Sequence, residues 1–158
     1  EHERRFRRRV ERWMDLGRGN CCLQRPPAAD ALENVLWFRE EVDYRLDAYV
    51  IMPNHVHILF QMSGDEPLEK ILKPWKGVSS RRIHQALGGG GTLWQADYWD
   101  RMIRSPAHYR HVRRYIEENP GKGNVPSGHF RLWMREPALW ESLKEEGCRV
   151  RPAWGPLR

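Results

Sequence analysis

The stretch that decides the fold is YVIMPNHVHILF, Tyr49 to Phe60, in which two histidines one residue apart sit inside an otherwise apolar run. Upstream, YRLDAYVIM alternates Leu46, Ala48, Val50 and Met52 against Tyr44, Asp47, Tyr49 and Ile51 closely enough to read as a strand. Pro53 sets its own φ and Asn54 tolerates turn geometry, so the two residues read as a turn. HVHILFQM then follows as a second strand, and the pair predicts a β-hairpin. Side chains two apart on a strand share a side, so His55 and His57 project together while Val56, Ile58 and Phe60 face the other way. Neutral imidazoles paired in this way can clamp a divalent ion. The plainer alternative is two half-buried histidines that hydrogen-bond to neighbours, which a motif this short often turns out to be.

Working outward, the apolar spacing predicts helices on both sides. Phe6, Val10, Trp13 and Met14 mark a basic helix ending near Gly17, and Pro26-Pro27 precedes a helix whose apolar side is Ala31, Leu32, Val35, Leu36 and Phe38. PLEKILKPWKGVSSRRIHQAL reads as a helical region interrupted or kinked at Pro74. Four glycines at 88–91 form a loop, and TLWQADYWDRMIR reads as a strand pair or a bent strand. SPAHYRHVRRYIEENP is the cleanest helix, with Ser105 as N-cap, Pro106 at the first position and a stop before Pro120. Beyond Asn124 the pattern weakens, and RVRPAWGPLR looks like an irregular tail.

The chain has 158 residues, which predicts one domain with a real core. Its 27 Lys and Arg against 21 Asp and Glu give a net charge of +6, which favours acidic partners such as nucleic acid. Eight tryptophans interleaved with arginines could stack on unpaired bases, although core packing accounts for most tryptophans in general. The cysteines, Cys21, Cys22 and Cys148, lack the spacing of a disulfide framework or a zinc knuckle, so a reducing, cytoplasmic setting is expected. No run is long and apolar enough to span a bilayer or serve as a signal peptide.

In the cleanest helix, His111, Tyr115 and Asn119 fall at i, i+4 and i+8 on one face, beside an apolar stripe of Tyr109, Val112 and Ile116 that can dock on a sheet. Taken singly, Tyr115 reads as a core or rim aromatic and Asn119 as a helix end. Taken with the histidine pair, they suggest a nucleophile beside a metal. A phenol of pKa about 10 needs help to attack phosphorus at neutral pH, and a divalent ion held by His55, His57 and Asn119 would offset the developing charge. A tyrosine–phosphate ester conserves the energy of the cleaved bond and permits rejoining.

These residues resemble the REP-associated tyrosine transposases, within the single-tyrosine HUH endonucleases. The likeness runs from about Leu23 to Asn124: YRLDAYVIMPNHVHILF carries the His-hydrophobic-His motif, LWQADYWDRMIR the W-Q-x-x-Y-x-D-x-x-I-R segment, and YIEENP the tyrosine motif. The resemblance implies an α+β fold, a ferredoxin-like antiparallel sheet with helices packed on it, forming a single catalytic domain over 1–158 with a divergent segment from about 125. It implies a strand transferase that uses Mg²⁺ or Mn²⁺ to cleave and rejoin single-stranded DNA beside short palindromic hairpins, leaving a 5′-phosphotyrosine and a free 3′-OH. Tyr115 becomes the nucleophile and His55, His57 and Asn119 the metal ligands, since related insertion-sequence enzymes use a polar residue one turn after their tyrosine. It further implies a bacterial, nucleoid-associated protein, a monomer in preference to a homodimer. Family members usually begin with a strand before the first helix; nothing upstream of EHERRF supplies it, so the expectation is either an N-terminal truncation or a sheet that has lost an edge strand.

For DNA contacts the expected residues are Lys76, Arg81, Arg82, Trp94, Gln95, Arg101, Arg104 and Arg114, with Trp99, Arg110 and Arg113 nearby, read as a basic track clustered beside the site. Two other functions remain open at this point. A domesticated hairpin-binding protein would require none of His55, His57 and Tyr115, and an unrelated metal-dependent hydrolase would not require Tyr115.

Overall fold

The computed structural model of the chain describes residues 17, 19–96, 98–139 and 150–157. The predicted helix at Phe6–Met14 and Cys148 lie outside the described residues. The expected hairpin forms, with β1 (Tyr44–Met52) antiparallel to β2 (His55–Met62) and His57 opposite Val50. A five-stranded antiparallel sheet is built around it in the order β3-β5-β2-β1-β4, where β3 is Trp99–Asp100, β4 Arg131–Met134 and β5 Val150–Pro156. Helices cover both faces, which makes an α+β fold of the expected kind. No helix among the described residues is long and apolar enough to cross a membrane.

On one face, α1 (Pro26–Phe38) and α2 (Glu69–Leu87) bury Leu32, Leu36, Leu72 and Trp75 against Tyr44, Tyr49, Val56, Ile58 and Phe60. On the other, α3 (Pro106–Lys122) lays Tyr109 and Ile116 on Ala48, Val50, Met52 and Leu59. Because helices cover both faces, β1 is buried along almost its whole length rather than on one side. The β1–β2 register shifts between Leu46 and Ala48, so Leu46 packs with Tyr44 and Tyr49 on the α1/α2 face and not, as its place in the alternation predicts, with Ala48.

Four further expectations are corrected. The prolines lie inside the helices: Pro26 and Pro27 open α1, where a missing N–H leaves no bond unmade, and α2 runs uninterrupted through Pro74. α3 runs past Pro120 to Lys122, and the left-handed Asn124 closes it as Val125 N–H reaches the Pro120 carbonyl at 2.9 Å. Phe38, assigned to an apolar side, is 74% exposed at the end of α1. The tail from Val150 is a strand, pairing His57 with Trp154 and Leu59 with Pro152, and it covers the edge of β2. Among the described residues its far side pairs only Trp154 and Ala153 with β3, and a strand near a sheet edge is where prolines are tolerated.

Candidate active site

Three local features bring the site together. His55 opens β2 directly after the turn and His57 follows two residues on, so both rings stand on the α3 face, while Val56 and Ile58 join the opposite core as expected. The apolar stripe of α3 docks Tyr109 and Ile116 on the sheet, which turns Tyr115 and Asn119 toward the histidines. The third feature is a charge pair. Asp47, fully buried where the register shifts, accepts from Arg113 Nη1 at 3.1 Å on each carboxylate oxygen and from Leu139 N–H at 2.8 Å. Arg113 also donates to the Arg135 carbonyl at 3.1 Å and the Glu136 carboxylate at 2.9 Å. It therefore anchors α3 two residues before the tyrosine, and it is not one of the solvated charges of the basic track it was grouped with.

The His55 and His57 ring centroids lie 4.8 Å apart at 82°, and the His57 and Tyr115 centroids 5.1 Å apart at 85°. His55, His57 and Asn119 are buried, and Tyr115 is half-buried. Asn119 Nδ2 sits 3.4 Å from His57 Nε2, and Asn119 Oδ1 is buried without a hydrogen-bond partner. His55 Nε2 is likewise buried without a partner, while His55 Nδ1 lies 2.7 Å from Asn54 Oδ1. Burial pushes the His55 pKa down to about 4; the Asn119 side chain favours the charged ring, although no hydrogen bond joins the two, and burial wins. A neutral imidazole with an unused lone pair, beside an unused amide oxygen, is the donor chemistry a divalent cation takes up. No group of three or more His, Cys, Asp or Glu side chains gathers among the described residues, so the Asn119 amide is the third donor at hand.

Two residues near the site were not singled out in the sequence. Lys122 places Nζ 5.0 Å from the Tyr115 ring centroid and 2.9 Å from Glu118; its spacing of seven from Tyr115 put it on the same helix face. The sequence marks Asn54 only as a turn residue. Conversely, His111 is exposed.

The expected DNA contacts do not form one track. Arg81 and Arg82 are exposed on α2, which packs on the face opposite Tyr115. Lys76 donates to the Gln95 and Ala96 carbonyls at 2.8 and 3.1 Å, and Gln95 Nε2 to the Leu157 carbonyl at 3.3 Å, so these side chains hold the loop before β3. Trp94 is a core residue whose Nε1 donates to Ser79 Oγ at 2.9 Å, and it offers no free face for stacking. Arg101 and Arg104 are exposed beside His108 in an open cleft leading into α3, and Arg110 and Arg114 are exposed on α3 itself. The Trp99 side chain lies outside what is described.

A sequence profile described as "Transposase IS200 like" matches residues 23–119, more than half of the chain. The chain belongs to the IS200-like transposase family. The match closes on Asn119, so both histidines and Tyr115 fall inside it. Over 107 residues, 67% of its length, the chain is 23% identical to a REP-associated tyrosine transposase of Escherichia coli (strain K12). It is 32% identical over 109 residues, 56% of its length, to an uncharacterized protein of Haemophilus influenzae. It spans 57% and 59% of the lengths of these two relatives. No solved structure matches it significantly.

Proposed function

We propose that this IS200-like transposase domain is a metal-dependent DNA strand transferase that cleaves and rejoins single-stranded DNA beside short palindromic hairpins through a 5′-phosphotyrosine at Tyr115. The observation that carries the reading is the contact of the Tyr115 and His57 rings at 5.1 Å, next to the buried, unpartnered His55 Nε2 and Asn119 Oδ1. His55, His57 and Asn119 would hold Mg²⁺ or Mn²⁺, which when bound supplies positive charge to a phosphoryl oxygen. Hairpin DNA as substrate is supported by the net charge of +6 and by the likeness to the REP-associated relative.

The chain's own residues do the rest. Tyr115 Oη forms the new P–O bond as the phenolic proton leaves; the P–O3′ bond breaks, and the departing oxygen takes a proton to become the 3′-OH. Asp47 and Arg113 fix α3, so that the phenol meets the phosphate in one geometry. Lys122, over the face of the Tyr115 ring and paired with Glu118, brings a positive charge beside the phenol. Rejoining is the reverse: a 3′-OH attacks phosphorus and the tyrosine leaves. Because Tyr115 and both histidines meet within one chain, the geometry supports a monomer acting in cis.

Denaturing electrophoresis of the protein with labelled hairpin-flanked single-stranded DNA and Mn²⁺ tests this. A covalent band that disappears with chelator and in Tyr115→Phe is the expected result. Retardation on a native gel with no covalent band, across several hairpins and both metals, would leave a binding protein in place of a strand transferase.

A further inference from the structure

Asn54 occupies a turn whose backbone does not require it. Tight hairpin turns recruit Asn or Gly where φ is positive, yet the non-glycine residues with positive φ among the described residues are Glu41 and Asn124. Turn residues normally face solvent; Asn54 is 3% exposed, its side chain tucked inward at the head of β2. What that amide meets is the His55 ring, with Oδ1 2.7 Å from Nδ1.

An amide oxygen only accepts, so the imidazole nitrogen facing it carries the ring's proton, and Nε2 keeps its lone pair. Nε2 is the atom buried without a partner, beside the equally unpartnered Asn119 Oδ1. If the amide presented its NH₂ instead, the proton would move to Nε2 and a donor would be buried there. The turn itself is pinned on both sides: the Pro53 carbonyl accepts from Leu23 N–H at 3.0 Å, and the Asn54 carbonyl from Leu157 N–H at 2.8 Å. The amide therefore has little freedom to swing away from the ring.

We propose that Asn54 is a positioning residue for metal binding: it holds His55 in the tautomer that leaves the buried Nε2 its lone pair, so that the cation meets a pre-aimed ligand. This rests on the reading of His55 as a ligand. Partners that orient a ligating histidine through its other nitrogen typically change metal affinity 10–100-fold when removed.

The test has two readouts on wild type, Asn54→Ala, Asn54→Asp and His55→Ala. Long-range ¹H–¹⁵N NMR of the metal-free protein at neutral pH reports which His55 nitrogen bears the proton. The free Mn²⁺ signal in electron paramagnetic resonance reports affinity without DNA or turnover. We expect a single Nδ1–H tautomer in wild type, a mixture in Asn54→Ala with Mn²⁺ bound about 10–100-fold more weakly, and recovery in Asn54→Asp, whose carboxylate also accepts from Nδ1. A wild-type proton on Nε2 overturns the proposal even if the alanine variant fails to fold. So does an Asn54→Ala protein with unchanged tautomer and affinity while His55→Ala loses Mn²⁺, which leaves the ligand reading standing. If His55→Ala binds Mn²⁺ as tightly as wild type, the ligand reading fails and this proposal with it.

Discussion

Replacing Asp47 with Ala tests whether one buried charge pair holds the tyrosine helix in place. The carboxylate has no exposed surface and accepts three hydrogen bonds, two from Arg113 Nη1 at 3.1 Å and one from Leu139 N–H at 2.8 Å. Removing one partner of a buried pair costs roughly 3–5 kcal/mol, because the other charge stays desolvated. Arg113 is 12% exposed and keeps the Arg135 carbonyl and the Glu136 carboxylate, itself 76% exposed. Those remaining acceptors put this case at the low end, about 3 kcal/mol. For a domain of this size that corresponds to a Tm lower by roughly 6–12 °C. Thermal unfolding followed by circular dichroism measures it, and a double-mutant cycle with Arg113→Met should give a coupling of about 1–3 kcal/mol. Adduct formation should also fall at temperatures where Asp47→Ala is still folded, since Tyr115 sits two residues from the lost anchor. A Tm change under about 2 °C, or effects of the two substitutions that simply add, would refute the clamp.

Other consequences are equally specific. Burial holds the His55 pKa at about 4, against 6.5 in the unfolded chain. Its contribution is complete above pH 6.5 and lost as the unfolded state alone takes up a proton on the way down to pH 4, up to about 3 kcal/mol in all. Urea midpoints between pH 7 and 4 should show this fall, and His55→Gln should flatten it; equal slopes in the two proteins would contradict the assignment. Tyr44 OH donates to the Leu36 carbonyl at 2.7 Å and accepts from Trp75 Nε1 at 2.9 Å, both inside the core. Tyr44→Phe strands both partners and should cost about 1–3 kcal/mol in chemical denaturation, well above Tyr98→Phe. Binding to hairpin DNA should weaken with salt, and any of Arg101, Arg104 or Arg114 that touches phosphate should, as glutamine, reduce the log–log slope by about one. Lys76→Ala should leave that slope alone and lower stability instead, because its ammonium is held by backbone carbonyls.

The readable parts of this fold are those set by local patterning. Alternation with a proline-asparagine break foretold the β1–β2 hairpin, and a period of two put both histidines on one face. The stripe of Tyr109, Val112 and Ile116 likewise foretold which side of α3 docks. What escaped depends on partners distant in sequence. Val150–Pro156 looks irregular because its pattern lacks alternation and carries two prolines, yet its backbone completes β2 from about ninety residues away. Leu46 changes face through a shift in register that alternation cannot register. Arg113, Lys76 and Trp94 look like their basic or aromatic neighbours in the chain; only Asp47, two loop carbonyls and Ser79 reveal that they are structural. Pro120 argued for a helix end at Asn119, whereas the helix carries the proline in its last turn and runs on to Lys122, so Asn119 lies inside it one turn from Tyr115.

The central claim is that Tyr115 is the nucleophile, and peptide mapping of a trapped adduct tests it most directly. Trypsin cutting after Arg114 and Lys122 releases Tyr115–Lys122, a peptide with a single tyrosine. After reaction with hairpin-flanked single-stranded DNA and Mn²⁺, then nuclease trimming, mass spectrometry should find that peptide carrying a nucleotide joined through its 5′-phosphate. An adduct on any other peptide, or none from protein that binds the DNA, would contradict the account.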